Sequence, residues 1–168
     1  MTSHQGGCVC GSVRYETTAD PSSVAFCHCK FCQRATGSAY MVEPQFALDE
    51  IRITKGHPTI YELRSAGSGK LVQIHFCATC GTKLYLTFER APGACGIYGG
   101  TFDDPEWFAT GPETAKHIFV QEARHDTIVP AGIPVWSHHP RRLDGTLLPP
   151  TTTFDRPHVV GQRRQPDV

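Results

Sequence analysis

Seven of the eight cysteines in this 168-residue chain fall into three tight groups, and no fold is acceptable that does not say where those groups go. They read Cys8-Val9-Cys10-Gly11, then Cys27-His28-Cys29-Lys30-Phe31-Cys32, then Cys77-Ala78-Thr79-Cys80-Gly81. In the first and third groups a glycine follows the second cysteine, and together they offer four thiolates. The middle group offers three and has no such glycine. Four thiolates close a tetrahedral zinc site, whereas three leave a coordination position open for water or substrate. The asymmetry predicts one structural zinc and one catalytic zinc, two per chain.

Disulfides are the competing use of cysteine. They belong to secreted chains, and no charged flank with an apolar export segment opens this one. Cys8-x-Cys10 and Cys27-x-Cys29 are too closely spaced to bridge comfortably, yet natural for sharing an ion, so metal is the better reading. No apolar run reaches the ~20 residues of a bilayer span. A soluble, cytoplasmic protein with no membrane partner is expected. Sixteen basic residues balance sixteen acidic ones, so no long-range field draws the chain to nucleic acid. Oligomeric state stays open.

Glycine and proline, 16 and 13 of them, cut the chain into short pieces with no long helical period. Short β-rich runs follow one another at residues 12–16, 39–42, 51–54, 59–63, 71–76 and 83–88. Such spacing predicts a mainly β fold, an antiparallel domain with zinc knuckles and short helical turns. Residues 71–76 run into the third cysteine group and 83–88 run out of it, so that group sits on a hairpin turn. Gly81, and Gly11 in the first group, supply positive φ there and let a backbone N–H approach a thiolate. Residues 30–34 lack Gly and Pro and can form one helical turn with Cys29 and Cys32 on one face. A second short helix is expected at Asp104–Phe108, with Asp103 or Asp104 as N-cap and Pro105 in the first position. Residues 1–139 are read as the zinc-binding domain. Residues 140–168, with five prolines, five arginines and few large apolar groups, are read as an extended or disordered tail.

The simplest partition gives Cys8, Cys10, Cys77 and Cys80 to one zinc and Cys27, Cys29 and Cys32 to the other. The first site would pin the N-terminus to a hairpin 67 residues further on, a loop closure that stabilises a small domain. A rival pairs Cys29 and Cys32 with Cys77 and Cys80, but it needs an unusually long intervening stretch and leaves Gly11 without a role. His28 is read as non-ligating, a surface or packing residue beside the ligands. Cys95 stands alone and is read as a small buried hydrophobe. Trp107 and Trp136 are read as core or cleft walls. Zinc with three thiolates is a poor Lewis acid toward water but can accept and deprotonate a fourth thiol. The matching reaction is addition of a thiol to an aldehyde, or its reverse.

These residues resemble the glutathione-dependent formaldehyde-activating enzyme family, whose domain is shared with centromere protein V. The resemblance lies in Gly7-Cys8-Val9-Cys10-Gly11 with Val13-Arg14-Tyr15, and in Cys27-His28-Cys29 through Cys32 with Thr36-Gly37-Ser38. It continues in Phe76-Cys77-Ala78-Thr79-Cys80-Gly81-Thr82 and from Gly99 to Pro105, spanning about residues 4 to 136. It implies a Mss4-like β fold, the metal partition above, and formation of S-hydroxymethylglutathione from formaldehyde and glutathione. The expected activity is that of a zinc-dependent carbon–sulfur lyase or synthase joining glutathione, or a similar thiol, to a small aldehyde. Lys30 and Arg34 flank the middle group; either alone reads better as a solvated surface charge, and together they are candidates to receive the carboxylates of glutathione. The alternative is a non-catalytic zinc module that binds protein or nucleic acid, against which the balanced charge argues.

Overall fold

A computed structural model describes residues 2–161 and divides the chain into two compact units. One comprises residues up to Ser23 together with Glu43–Ala109; the other comprises Val24–Val42 and the residues from Thr110 onward. The expectation of a mainly β fold with antiparallel sheets and little helix holds.

In the first unit, β1 (His4–Gly7), β2 (Arg14–Thr17) and β5 (Arg52–Lys55) form a three-stranded antiparallel sheet in the order β1-β2-β5. The larger sheet of this unit orders β4 (Met41–Ala47), β9 (Ala91–Ile97), β8 (Lys83–Phe88), β7 (Leu71–Phe76) and β6 (Thr59–Arg64), every pair antiparallel. The alternation in β7 and β8 explains its two faces. Ile74 pairs with Leu86, and Leu84 lies on that same side, all three buried. The opposite side of β6, β7 and β8 carries a polar row instead. There the Thr87 hydroxyl donates to Gln73 Oε1 at 2.9 Å and Gln73 Nε2 donates to Glu62 Oε1 at 2.7 Å. The register of β7 against β8 shifts between His75 and Phe76. A bulge there re-aims the chain as it enters the third cysteine group.

Tyr15 is the anchor of the smaller sheet and is wholly buried. Its ring lies so close to Gly6 that a Cβ added there would meet it at 2.4 Å, so the pairing of β1 with β2 depends on that bare backbone. Phe102 packs edge-on against Tyr15 at 5.3 Å, and Trp107 packs edge-on against Phe102 at the same distance. Trp107 also stacks on His4 at 3.7 Å. This packing explains why Asp104–Phe108 is a turn and not the expected helix. The Asp104 carboxylate accepts from Glu106 N at 3.1 Å, a local bond that competes with helix, while Trp107 and Phe108 turn toward Phe102. Asp103 instead pairs with Arg14.

In the second unit, β3 (Ser23–Cys27) lies beside β10 (Ala115–Ile118), which lies beside β12 (Pro134–Val135), and both pairs are parallel. β13 (Thr152–Thr153) adds to β12 antiparallel. A separate ribbon joins β11 (Thr127–Val129) to β14 (His158–Val160). The helix α1 (Lys30–Thr36) starts three residues after β3 ends and stops at Gly37, whose φ of 71° closes a left-handed cap with its N–H on Gln33 O. It runs two residues past the single turn expected. Within the stretch read as a tail, β13 and β14 are paired strands, and residues 162–168 lie outside those described. Among the described residues no helix is long and apolar enough to cross a membrane.

Thr101 Oγ1 donates to Tyr98 O at 2.8 Å, so its contact with the Tyr15 hydroxyl, also 2.8 Å, has the tyrosine as donor. Replacing Tyr15 by Phe removes that donor and leaves the Thr101 oxygen short of a partner. Y15F is expected to lose about 1–2 kcal/mol in urea unfolding at saturating metal. A change below about 0.3 kcal/mol would show that this bond does not hold β2 to the 99–101 turn.

Candidate metal centres

Cys8 and Cys10 lie on the turn between β1 and β2, and Cys77 and Cys80 on the turn between β7 and β8. The two turns are built alike. Gly11 N donates to Cys8 O at 2.9 Å and Gly81 N to Cys77 O at 2.8 Å. Both glycines have positive φ, 69° and 74°, a region that favours glycine. Their N–H groups close the turns on cysteine carbonyls; the thiols receive other donors. Cys8 N donates to Val13 O at 3.0 Å and Cys77 N to Thr82 O at 2.9 Å, which repeats the likeness at the base of each turn.

The four sulfurs lie within 4.8 Å of one another. Cys8 and Cys77 are buried, whereas Cys10 and Cys80 are exposed. Burial pushes the Cys8 thiol up, but the Val13 N–H at 3.2 Å and the neighbouring thiols outweigh it and leave it lowered. Cys80 is pulled down to about 5, first by the Thr82 hydroxyl at 3.2 Å and then by backbone N–H groups of Thr82 and Cys10. Thr82 Oγ1 also accepts from Val9 N at 3.3 Å, so one hydroxyl touches both turns. Lys55 Nζ donates to Gly11 O at 2.7 Å and brings a positive charge beside the group. Four convergent sulfurs, with the Cys8 and Cys80 thiols lowered and amide donors beside them, suit a thiophilic ion such as zinc.

The second group is Cys27, Cys29 and Cys32, whose sulfurs also lie within 4.8 Å of one another. Cys27 ends β3, Cys29 is the N-cap of α1 and Cys32 sits in its first turn. The backbone leaves the strand because Cys29 is still extended (φ −63°, ψ 154°) while its Sγ already accepts from Cys32 N at 3.3 Å. A thiol thus does the capping work that serine or aspartate usually does. The Cys29 thiol is drawn down to about 3, chiefly by Cys27 and Cys32 and further by the N–H groups of Cys32 and Phe31. The same crowding pushes Cys32 up, because it holds its proton against the neighbouring sulfurs. Three convergent sulfurs around one easily ionised thiol also suit zinc, with one ligand position not filled by cysteine.

The remaining residues singled out in the sequence fall as follows. Lys30 is exposed; its Nζ donates to Glu122 O and its backbone N to Glu122 Oε2, both at 2.8 Å. Arg34 is exposed in the last turn of α1. Cys95 is buried, and burial pushes its thiol up to about 12. His28 is wholly buried, not on the surface.

Two residues escaped sequence reading. His117 on β10 shares a hydrogen bond of 2.9 Å with His28, Nδ1 to Nε2, and both rings are buried. Phe26 stacks on His117 at 4.7 Å and Tyr40 tilts against His28 at 5.1 Å. Burial draws both histidines down to about 4 and keeps the pair neutral. The only signal was two histidines among apolar neighbours, which cannot disclose their pairing across 89 residues. Glu122 was the other, and nothing local marks it as the partner of Lys30.

A mainly β chain that gathers seven thiols into one group of four and one of three is a thiol-rich protein with two candidate metal centres. The family model described as glutathione-dependent formaldehyde-activating enzyme matches residues 3–122. The chain belongs to that family. It is 28% identical over 102 residues to a Halomonas elongata protein whose name provisionally makes it a glutathione-dependent formaldehyde-activating enzyme. It is 24% identical over 93 residues to an uncharacterized lyase of Schizosaccharomyces pombe. These matches take in 59% and 54% of this chain, and 65% and 61% of the relatives' own lengths. A crystal structure of a Rhodobacter sphaeroides protein aligns at a TM-score of 0.47 with 22% identity, over 59% of this chain and 87% of that one.

Thiolates are the reactive form, so the lowered Cys29 and raised Cys95 give opposite reactivities. In folded protein with metal at the four-thiol group and none at the three-thiol group, iodoacetamide at pH 7 is expected to modify Cys29 well before Cys95, as read by peptide mass spectrometry. Raising the pH to 9 still leaves Cys95 below the range in which it ionises, so it stays protected. Early labelling of Cys95 in folded protein would contradict the burial and its effect on the thiol.

Proposed function

We propose that this chain is a zinc-dependent carbon–sulfur lyase or synthase that joins glutathione, or a similar small thiol, to formaldehyde or another small aldehyde. The observation that carries the reading is the group of three thiols at the end of β3 and the start of α1. Family membership and the names of the two relatives support it. Cys8, Cys10, Cys77 and Cys80 hold a structural zinc, and Cys27, Cys29 and Cys32 hold the reactive one. Zinc held by those three thiolates would supply the chemistry that lowers the pKa of an incoming thiol. The reaction forms one carbon–sulfur bond, opens the carbonyl π bond, and transfers the thiol proton to the aldehyde oxygen.

The chain's own residues set the stage for that addition. The Cys32 N–H fixes the Cys29 sulfur, and His28, between Cys27 and Cys29 in the chain, is buried against His117 as a neutral pair. Lys30 is tethered through a main-chain carbonyl and not through a carboxylate, so its positive charge stays available to an anion. Lys30 and Arg34 are the groups proposed to receive the carboxylates of glutathione.

Three measurements test this reading. Purified protein should carry close to two zinc ions per chain. C10S or C80S should unfold the protein, because structural zinc binding is coupled to folding and worth on the order of 10 kcal/mol. C32S should stay folded and lose the acceleration of hemithioacetal formation from glutathione and formaldehyde, followed against the spontaneous rate. Equal collapse of both classes in circular dichroism would refute the division of roles. A wild-type protein that binds zinc but accelerates no thiol–aldehyde pair would remove the enzyme reading and leave a binding module.

A further inference from the structure

The start of α1 is held from 92 residues away. Phe119, at the end of β10, has φ 58° and ψ 36°. A bulky residue persists in that left-handed region only where its surroundings over-determine it. Here Phe119 N donates to His138 O and Val120 N to Trp136 O, both at 3.2 Å, and Glu122 N closes back on Phe119 O at 2.9 Å. The resulting 3₁₀ turn, Val120–Glu122, presents Glu122 to the segment that carries the three thiols.

Among the described residues, the bonds that Glu122 makes to other segments go to that one. Its Oε2 accepts from Lys30 N, and its carbonyl accepts from Lys30 Nζ at 2.8 Å and from Gln33 Nε2 at 2.9 Å. The same Gln33 amide donates to His28 O at 2.6 Å. The first N–H groups of a helix have no partner inside it. Glu122 satisfies the first of them, and the Cys32 N–H is left to the Cys29 sulfur. The carboxylate and carbonyl of one distant residue therefore hold Lys30 and Gln33, and the Gln33 amide carries the hold back to His28 O.

We propose that Glu122 is the positioning residue of the three-thiol group: it fixes the first turn of α1, and with it the placement of Cys29 and Cys32 relative to Cys27. Its effect on metal rests on the reading given under Proposed function; its effect on the helix does not. Residues that orient ligands from outside the coordination shell typically contribute 10–100-fold to metal affinity.

The test compares E122A with E122Q, which keeps an acceptor oxygen at the same reach. In protein with metal at the four-thiol group and none at the three-thiol group, amide hydrogen exchange at Lys30–Cys32 should quicken about tenfold or more in E122A and return toward wild type in E122Q. With cadmium as the probe, the ¹¹³Cd resonance of the three-thiol group should weaken, with affinity down about tenfold. The resonance of the four-thiol group should stay put in both variants. A merely structural role would instead lower both cadmium sites and the melting temperature together, and would not be rescued by Gln. Should E122A fail to fold, E122D shortens the carboxylate's reach while keeping the carbonyl, and the same comparison applies. Exchange in the folded variant equal to wild type overturns the proposal, as does E122Q behaving like E122A. Wild-type protein that takes no cadmium at Cys27, Cys29 and Cys32 would count against the metal reading, while the exchange rates still decide the role of Glu122.

Discussion

The meeting of two small turns is the constraint on which the first unit depends. Cys8 and Cys10 precede β2, Cys77 and Cys80 precede β8, and their four sulfurs converge although 67 residues separate Cys10 from Cys77. Closing such a loop in an otherwise flexible chain is entropically unfavourable, and the cost grows only slowly with length. A metal held there would offset a large closure with few residues. The smaller sheet contributes its own hold through Tyr15 against Phe102 and through Arg14 against Asp103, but these contacts presuppose that the N-terminal strand is already in place.

The three-thiol group in the second unit is made differently. No matched turn forms it. It uses the point where a strand becomes a helix, so that a sulfur serves at once as helix cap and as candidate ligand. Such a junction is less self-sufficient than a knuckle. β10 runs beside β3, buried His28 and His117 bond to one another across the two strands' ends, and Glu122 takes up the exposed end of α1. The contrast matches the division of labour proposed for the two groups, since a reactive centre needs a ligand position that cysteine does not close.

The sequence disclosed what is local. Close cysteine spacing, glycines after Cys10 and Cys80, and the alternating runs at 71–76 and 83–88 all report short-range geometry, and β7 and β8 have the expected limits. Strands without such patterning were illegible. β1 reads His-Gln-Gly-Gly and β9 contains Pro92, Gly93 and Gly96, so neither looks like a strand until its neighbours pair with it. The helix expected at Asp104–Phe108 had a sound cap and a proline in the right place, but aromatic packing outweighed that local preference. His117 and Glu122 were hidden for a related reason: their importance comes from partners about ninety residues away.

The parallel pairing of β3 with β10 also fixes an order of events during synthesis. A chain leaves the ribosome N-terminus first, so Cys27, Cys29 and Cys32 are all exposed to the cell long before Ala115–Ile118 exists to flank them. Glu122 follows β10 by four residues, and it arrives last of the groups that hold the start of α1. The four-thiol set, in contrast, has all its ligands and its supporting turns by Thr82. The nascent protein therefore passes through a stage in which its knuckle pair is fully equipped while its three remaining clustered thiols are bare and unsupported. During that interval they are open to oxidants and to the wrong metal until the downstream strand is made.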